Sequence, residues 1–248
     1  MDFKDYLEKT AKELDREVSK ILDVEIENIK KIDKKLVPLL EAFKDACMGG
    51  KRIRGVLVKL GHQLAGGKSK EIIRIGAAYE IFHGAILAHD DIMDQSQTRR
   101  GKPSLYKRVG ISEAITLGDL GFFITMKIIP ELADIALDTA IGQMLDLKKA
   151  NPVITAKFKT AKYTIAGPLQ LGAIFAGAKG KLIKNLGEFG ENLGIAFQMR
   201  DDELDGEASR DAKKYINSAR KMIPGITKDI KMSKLLEQMG GYLIERTI

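Results

Sequence analysis

The feature that most constrains the fold of this chain is a pair of acidic motifs with identical spacing. The sequences DDIMD at 90–94 and DDELD at 201–205 each follow an apolar stretch of helical character, 86–89 and 193–199. Residues four apart project from the same face of an α-helix, so each motif places carboxylates side by side at a helix end. Such carboxylates repel one another and are costly to bury unless a cation neutralises them. The pattern therefore predicts helices that end at a cation site.

The chemistry of these oxygen ligands indicates which cation. Hard carboxylate ligands in twos and threes suit Mg²⁺, which keeps several waters and usually completes its octahedron with phosphate oxygens of a substrate. A single motif of this kind is more often a solvated acidic patch, but two of them after core-facing runs are not expected by chance. We therefore predict bound Mg²⁺ and a phosphorylated ligand. The candidate metal ligands are Asp90, Asp91, Asp94, Asp201, Asp202 and Asp205.

Two basic clusters supply candidate partners for the phosphate. The sequence GGKRIR at 49–54 places three cations at an expected helix start, where backbone N–H groups and the helix dipole also favour an anion. Arg99 and Arg100 follow the first acidic motif closely. The planar fork of an arginine side chain can hold phosphate in two-point contact. We therefore predict that Arg99 and Arg100 bind a diphosphate.

With these acidic and basic motifs, the chain resembles the trans-isoprenyl diphosphate synthases, or polyprenyl synthetases, and is similar to geranylgeranyl and farnesyl diphosphate synthases. The matching stretches occur in the order of the family and span most of the chain. They are GGKRIRG at 49–55, HGAILAHDDIMDQSQTRRGKPS at 83–104, GDLGFF at 118–123, FKTAKYT at 158–164 and GIAFQMRDDELD at 194–205.

This resemblance implies the condensation of isopentenyl diphosphate with an allylic diphosphate, with three Mg²⁺ ions expected when substrate is bound. The catalytic residues it implies are Asp90, Asp94, Arg99, Lys159 and Asp201. Isopentenyl diphosphate would be bound by Lys51, Arg54, His83 and Arg100. The allylic diphosphate would be bound by Arg99, Lys159, Thr160 and Gln198. Gln143 and Asp146 resemble a motif of the family that faces the cavity and would be supporting, not catalytic, positions. His89 directly precedes the first acidic motif, and we expect it to hydrogen-bond a metal-bound carboxylate.

The residues before the first acidic motif bear on product length. We interpret Phe82, Ala85 and Ile86 as the wall that limits the growing prenyl tail. Short-chain members of the family commonly carry a bulky aromatic residue where this chain has Ala85, so the pocket floor is expected one turn lower, at Phe82, roughly 4 to 5 Å deeper. This favours a product of about twenty carbons or somewhat more. Phe122 or Phe123 could close the pocket at another depth.

Length and periodicity favour one all-α domain, 1–248. The chain has 248 residues, of which 44% are hydrophobic, enough for one large core. Strand-like alternation is scarce, and no flexible linker is evident. The resemblance adds the isoprenoid-synthase helical bundle around a central cavity. Apolar residues recur at helical spacing in 53–65, 71–89, 112–129, 183–204 and 229–246.

Charge and cysteine content narrow the choice of partners and compartment. The net charge of +7 invites a nucleic-acid interpretation, but the lysines are scattered among acidic residues and no aromatic residues interleave them. We therefore expect no nucleic-acid partner. The lone Cys47 fits a reducing compartment, and neither a membrane-spanning run nor a secretory signal is recognised. A cytoplasmic protein is expected.

The chain also departs from the pattern of the family. Members usually continue past the second acidic motif with a lysine-rich loop, which this chain lacks after Asp205, although Lys213 or Lys214 could replace its lysine. Gly55 stands where proline is usual, and the region 123–143 is short. Without a closing loop, water could enter the site and lower the rate.

Three alternatives follow from these observations. A terpene cyclase of the same fold usually has a different second motif, which argues against it here. A catalytically weak or regulatory subunit of a heteromeric synthase fits the shortened part after Asp205, although both acidic motifs are kept. A nucleic-acid or membrane-surface binding protein would rest on the net charge alone. A homodimer is implied by the resemblance and fits the apolar content of 111–147.

Overall fold

The structure is a computed structural model that describes residues 2–204 and 212–244. Within these residues it is almost entirely helical, which confirms the predicted all-α class. The helices are α1 (Phe3–Lys30), α2 (Val37–Cys47), α3 (Ile53–Leu64), α4 (Ile72–Met93), α5 (Leu105–Val109), α6 (Ile111–Ile128), α7 (Ala133–Leu147), α8 (Pro152–Thr155), α9 (Gly167–Phe175), α10 (Lys181–Leu204), α11 (Ala212–Ile226) and α12 (Ile230–Ile244).

The predicted helical segments agree closely with the helices observed. The runs at 53–65, 112–129 and 183–204 correspond to α3, α6 and α10 within a few residues. Apart from its first residue, the apolar run at 71–89 lies within α4, which continues into the first acidic motif and ends at Met93, as the placement of that motif at a helix end predicts. Apolar residues at helical spacing therefore located these helices correctly, whereas the polar continuation of α4 carried no such signal.

Non-α elements connect some of the helices. A short antiparallel hairpin pairs β1 (Thr98–Arg99) with β2 (Lys102–Pro103), and its turn residues Arg100 and Gly101 both have positive φ, 54° and 74°. Positive φ at both central residues is the geometry of tight hairpin turns. Ala156–Ala166 forms a π-helix between α8 and α9. The 3₁₀ turns are Lys34–Leu36 and Pro130–Leu132.

The chain forms two compact units, and the proposed single domain stays a prediction. The first unit consists of Lys9–Gly55 and Ile73–Pro130, and the second takes its described residues from Met1–Glu8, Val56–Ile72 and Glu131–Ile248. The first unit buries apolar side chains of α1, α2 and α4, among them Leu14, Phe43 and Ile81. Burial of this kind is the main stabilising contribution to such a core.

In the second unit, the π-helix packs against α10 and α7, and α11 packs against α10. Ala161, Ile195 and Met199 form a buried apolar cluster, and Tyr215 of α11 packs on it. This packing fixes the π-helix that carries Lys159 and Thr160. Among the described helices of the chain, none is both long and apolar enough to cross a bilayer.

Candidate active site

The first acidic motif lies at the end of α4. The helix ends at Met93, but the N–H of Asp94 still donates to the carbonyl of Asp90 over 2.8 Å, so the helical register continues through the motif. Asp90 is half-buried and Asp94 is exposed. The same-face arrangement predicted for Asp90 and Asp94 thus follows from the backbone geometry.

Asp91, between them, is buried and paired with Arg99 of β1. Nε of Arg99 donates to Oδ1 of Asp91 over 2.9 Å, and Nη2 contacts the same oxygen. The Asp91 side chain is 4% exposed and that of Arg99 is 37% exposed. A buried carboxylate needs such a charge-assisted partner. Two residues predicted to bind different groups, metal and diphosphate, therefore contact each other.

The carboxylates of the first motif are chemically suitable ligands for a metal ion. Hard oxygen donors at the solvent-facing end of a helix are the ligands Mg²⁺ prefers. Among the side chains that the structure describes, those of residues 2–200 and 212–243, no three of His, Cys, Asp or Glu lie close enough to hold an ion together. Asp91 is directed to Arg99 instead, since unbridged carboxylates repel one another. The half-buried Asp90 and the exposed Asp94 are the more accessible carboxylates of the motif.

The second acidic motif ends α10. Because α10 extends through Leu204, Asp201 and Asp202 occupy its last turn. Their side chains, and Asp205 together with the segment that follows it, lie outside the described residues. Their predicted metal role, and the predicted absence of a loop there, stay predictions.

The turn at 49–52 precedes α3, and the three cations of residues 49–54 differ in how deeply they are buried. Gly49 and Gly50 have φ values of 81° and 86°, a region that favours glycine. Lys51 is exposed, and Arg54 is half-buried in the first turn of α3. Arg52 is buried, and its Nη1 donates to the carbonyl of Cys47 over 2.8 Å. The guanidinium of Arg52 is therefore engaged in hydrogen bonds within the protein.

Arg100 lies over the same turn. Its Nη1 donates to the carbonyl of Met48 over 2.7 Å and to that of Ala46 over 3.3 Å. A Cβ added to Gly50 would be 3.0 Å from Nη2 of Arg100. Burial and the charge of Arg52 lower the pKa of Arg100. The hairpin thus brings Arg100 to the turn that carries Lys51.

His83 of α4 reports the positive potential at this place. Its pKa is held well below the usual 6.5, first by burial and then by the charges of Arg54, Arg100, Arg52 and Arg99. A neutral histidine among arginines can hydrogen-bond a phosphate without adding another charge. The four residues predicted to bind isopentenyl diphosphate all belong to the first unit.

A cavity of about 390 Å³ opens beside these groups within the first unit. Its wall combines the glycine turn, one face of α4 and the arginines of the hairpin. The lining residues that carry polar chemistry are Asp45, Asp91, Arg99, Arg100, Lys102 and Arg108. Such a cavity has the size and the charge to hold a small phosphorylated ligand.

Asp45 is a residue that sequence reasoning missed. It accepts from Lys102 over 2.7 Å and from Arg108 over 2.8 Å, and these contacts, led by the bond from Lys102, lower its pKa. The pairing fastens the hairpin and α5 to the end of α2. Only the tertiary structure reveals it, because the partners are 57 and 63 residues away.

The residues predicted to limit product length pack between α4 and α6. The ring of Phe82 is buried, with centroids 5.4 Å from Phe122 and 5.9 Å from Tyr79. Ala85 is fully buried, and its Cβ lies 2.9 Å from where a Cβ of Gly121 would be. Ile86 is half-buried and Phe123 is exposed. Leu87 and Ala88 line the 390 Å³ cavity instead.

His89 contacts α6, not the first acidic motif. Its ring stacks on Phe122 at 5.4 Å, and its Nε2 lies 3.3 Å from a carboxylate oxygen of Asp119. The predicted hydrogen bond to a metal-bound carboxylate would place His89 beside Asp90 or Asp94. The partner observed is Asp119, which sits in the GDLGFF stretch and was not singled out from the sequence.

Three of the four residues predicted to bind the allylic diphosphate, Lys159, Thr160 and Gln198, line a second cavity of about 320 Å³ in the second unit, whereas Arg99 lines the first cavity. Thr160 donates to Oε1 of Gln198 over 2.6 Å, and Lys159 pairs with Asp146 over 2.5 Å. Lys159 and Thr160 lie in the π-helix, a form found frequently at functional sites. The supporting role predicted for Asp146 has a direct contact, whereas Gln143 does not line this cavity.

Comparison with known proteins identifies relatives of matching sequence and fold. The geranylgeranyl diphosphate synthase of Sulfolobus acidocaldarius is 34% identical over 180 residues, 63% of this chain and 54% of that protein. A geranylfarnesyl diphosphate synthase of Methanosarcina mazei is 32% identical over 171 residues, 63% of this chain and 58% of that protein. The chain thus spans about half the length of the curated relatives it matches.

Structural comparison gives the same fold over nearly the whole chain. The crystal structure of geranylgeranyl pyrophosphate synthase from Corynebacterium glutamicum, complexed with isoprenyl diphosphate and magnesium, matches with a TM-score of 0.87 at 21% identity. The match covers 97% of this chain and 99% of that one. A family model described as polyprenyl synthetase matches residues 37–217, most of the sequence. The chain belongs to the polyprenyl synthetase family.

Proposed function

We propose that this protein is a Mg²⁺-dependent prenyltransferase that condenses isopentenyl diphosphate with an allylic diphosphate. The observation that carries the proposal is a cavity of about 390 Å³ lined by Arg99, Arg100, Lys102 and Arg108, close to His83, whose pKa burial and nearby arginines hold well below its usual value. A site with this much positive charge and a neutral hydrogen-bonding group is suited to a diphosphate. Membership of the polyprenyl synthetase family and its named relatives support the same reaction.

In this proposal, the first unit binds isopentenyl diphosphate. Lys51 and Arg54 flank the start of α3, where backbone N–H groups add to the positive potential. Arg100 would bind the diphosphate through Nε and Nη2, while its Nη1 keeps the contacts with the carbonyls of Met48 and Ala46. His83 would supply a hydrogen bond, and no side-chain base is needed there.

The allylic diphosphate would be bound by Arg99, Lys159, Thr160 and Gln198. An arginine has five N–H donors, and Arg99 uses those of Nε and Nη2 for Asp91. A diphosphate can therefore bind Arg99 while the pair with Asp91 persists. Lys159 would move from Asp146 to the leaving group, since an ammonium on a flexible stem adapts easily.

The metal ligands proposed are Asp90, Asp94 and Asp201, with Asp91, Asp202 and Asp205 nearby. Bound Mg²⁺, three ions in the proposed complex, would stabilise the negative charge of the departing diphosphate as a Lewis acid. The arginine and lysine side chains share that task by hydrogen bonding to the same oxygens. They also orient the allylic carbon toward the double bond of isopentenyl diphosphate. The departing diphosphate takes up the proton lost after bond formation.

We propose a product of about twenty carbons or somewhat longer, by the depth argument of one helical turn. The small Ala85 and the buried ring of Phe82 support this length, as do relatives named for geranylgeranyl and geranylfarnesyl products. Replacing Ala85 with Phe should shorten the product. A product of unchanged length in Ala85→Phe would place the wall elsewhere, with Phe122 the next candidate.

A homodimer is supported by exposed apolar residues on two helices. On α7, Leu137, Met144 and Leu147 are spaced by seven and three residues and so lie on one helical face. On α6, Ile111 and Phe123 are exposed. Apolar residues exposed in a row mark interaction surfaces.

The dimer can be tested by sedimentation equilibrium. Leu137→Glu should shift the protein to the monomer. Ile32→Glu, at an exposed isoleucine of the first unit, is the matched control and should leave the mass unchanged. A monomeric wild type, or equal masses for wild type and Leu137→Glu, would contradict the dimer.

The reaction itself is tested by incubating the protein with labelled isopentenyl diphosphate, Mg²⁺ and dimethylallyl, geranyl or farnesyl diphosphate. Elongation should depend on the metal and fall on the order of 1000-fold in Asp90→Ala, because charge stabilisation at the leaving group is lost. Lys127→Met, which breaks an exposed ion pair with Glu25, is the control and should be fully active. A folded wild type that elongates no primer would favour the non-catalytic subunit.

A further inference from the structure

A buried ion pair lies behind the basic turn and has no part in the proposed reaction. The side chains of Arg52 and Glu80 are 1% and 3% exposed, and Nη1 of Arg52 lies 3.7 Å from Oε2 of Glu80. Buried charges of this kind are costly unless each is paired and hydrogen-bonded. Their further contacts show what the pair holds in place.

Arg52 fixes the segment before α3. Its Nη1 donates to the carbonyl of Cys47, the last residue of α2, and its Nε bonds to Asp15 over 2.7 Å. Its backbone has a φ of 54°, a left-handed conformation that is uncommon for a residue with a side chain. The contacts of the side chain hold the backbone in this conformation. The turn that presents Lys51 is thereby tied to α1 and α2.

Glu80 fixes the start of α3 from the other side. Its Oε1 accepts the N–H of Gly55 over 2.8 Å, which satisfies a backbone donor in the first turn that has no partner within the helix. A negative charge at this end also complements the helix dipole. The lack of a side chain at Gly55 lets this part of α4 approach it closely. A Cβ on Gly55 would lie 2.8 Å from the carbonyl oxygen of Gly76 and 3.1 Å from Cγ of Glu80. At this position a proline would have no N–H for Glu80.

The pair also balances charge within the cluster. Arg52, Arg54, Arg99 and Arg100 all act on His83. Like charges this close repel one another, and a buried carboxylate among them offsets that repulsion. This balance acts on Arg100, because the charge of Glu80 raises the pKa of Arg100 whereas the charge of Arg52 lowers it.

We propose that Arg52 and Glu80 are positioning residues, which hold the cations of the anion site in place for a diphosphate without touching it. The cations concerned are Lys51, Arg54 and Arg100. The inference rests on the proposed function, because it assigns isopentenyl diphosphate to this site. It adds residues that act through others on the binding of that one substrate.

The test compares Glu80→Gln with wild type. The amide oxygen of glutamine can still accept the N–H of Gly55, so the substitution removes the charge and keeps the cap. By calorimetry, the dissociation constant for isopentenyl diphosphate should rise about tenfold, an effect typical of residues that orient direct ligand partners. The KM for the allylic diphosphate, and kcat at saturating isopentenyl diphosphate, should stay within about twofold. Arg52→Lys should weaken binding in the same selective way.

The control is Thr125→Val in the same unit. The buried hydroxyl of Thr125 hydrogen-bonds to the carbonyls of Gly121 and Ala78 over 2.9 and 3.1 Å. Thr125 is not one of the residues predicted to bind substrate or metal. Thr125→Val should lower the melting temperature and leave the dissociation constant unchanged.

Two results would overturn the inference in distinguishable ways. If Glu80→Gln or Arg52→Lys lowers the melting temperature as Thr125→Val does but binds isopentenyl diphosphate like wild type, the pair is only structural and the proposed function stands. If wild type binds no isopentenyl diphosphate, the proposed function fails and the inference fails with it. Should Glu80→Gln not fold, Arg52→Lys gives the decision.

Discussion

The cation sites of the two units are built in contrasting ways. In the first unit, Arg52 and Arg100 donate to backbone carbonyls at the end of α2, and Arg99 donates to the buried Asp91. In the second unit, Lys159 pairs with Asp146 by a single contact between partly exposed side chains. The arginines of the first unit are therefore held by backbone carbonyls and a buried carboxylate, whereas the lysine of the second unit is held by one partly exposed side chain from which it can be exchanged.

This difference has a thermodynamic consequence. Side chains that are already fixed lose little conformational freedom when a ligand binds, whereas a flexible lysine must be ordered at that moment. We therefore expect the first unit to bind a diphosphate by itself. The second site should become ordered only with its ligand and metal.

The largest expected difference concerns pH. Because the pKa of His83 is lowered on folding, the unfolded chain takes up a proton below about pH 6.5 that the folded chain does not. The stability is thus fully present above this pH and is lost as the pH falls toward the folded pKa, by up to about 1.4 kcal/mol per pH unit. Denaturation by urea between pH 7.5 and 5 measures it. His83→Gln should flatten the curve, and an unchanged pH slope in that variant would show that His83 is not the group responsible.

The next effect separates backbone strain from contact with Arg100. Gly50→Val and Gly101→Val both place a side chain on backbone of positive φ, and each should cost about 1 to 3 kcal/mol of stability. Only at Gly50 would the new side chain meet the guanidinium of Arg100, since nothing lies within 4 Å of a Cβ on Gly101. Affinity for isopentenyl diphosphate should fall about tenfold more in Gly50→Val, which is about 1.4 kcal/mol. Equal losses of affinity would remove the role given to Arg100.

A smaller effect is expected in the second unit. Thr160→Val removes the 2.6 Å hydrogen bond to Gln198 and should cost about 0.5 to 1.5 kcal/mol of stability. It should raise the KM for the allylic diphosphate and leave that for isopentenyl diphosphate unchanged. Steady-state kinetics with each substrate varied in turn would detect it. A change confined to isopentenyl diphosphate would reverse the assignment of the two sites.

The smallest effect is expected at Asp45. Asp45→Asn weakens its contacts with Lys102 and Arg108, but these groups are partly exposed and screened by solvent. The loss of stability should be within about 1 kcal/mol, and less at high salt. Thermal unfolding at two salt concentrations tests this. A loss several times larger would mean that the hairpin depends on this residue.

The helices and the basic stretches could be predicted because their signals are local. Apolar residues at helical spacing located α3, α6 and α10, and the GGKRIR stretch correctly predicted cations at a helix start, that of α3. The burial of Arg52, the pairing of Asp91 with Arg99 and the role of Asp45 could not be predicted. Each depends on a partner that tertiary packing brings near, and the sequence alone does not distinguish a buried, paired arginine from an exposed one. Glu80 lies three residues before His83 on α4, a spacing that places both on one helix face and could have indicated a carboxylate near the basic cluster.

The measurement that tests the account most directly is calorimetric titration of the wild-type protein with isopentenyl diphosphate in the presence of EDTA. If arginine and lysine side chains alone form the first site, binding should occur without Mg²⁺, with one site per chain, and should be lost in Arg54→Gln. The allylic diphosphate should bind measurably only when Mg²⁺ is restored. Absence of isopentenyl diphosphate binding without metal would contradict a preformed anion site in the first unit.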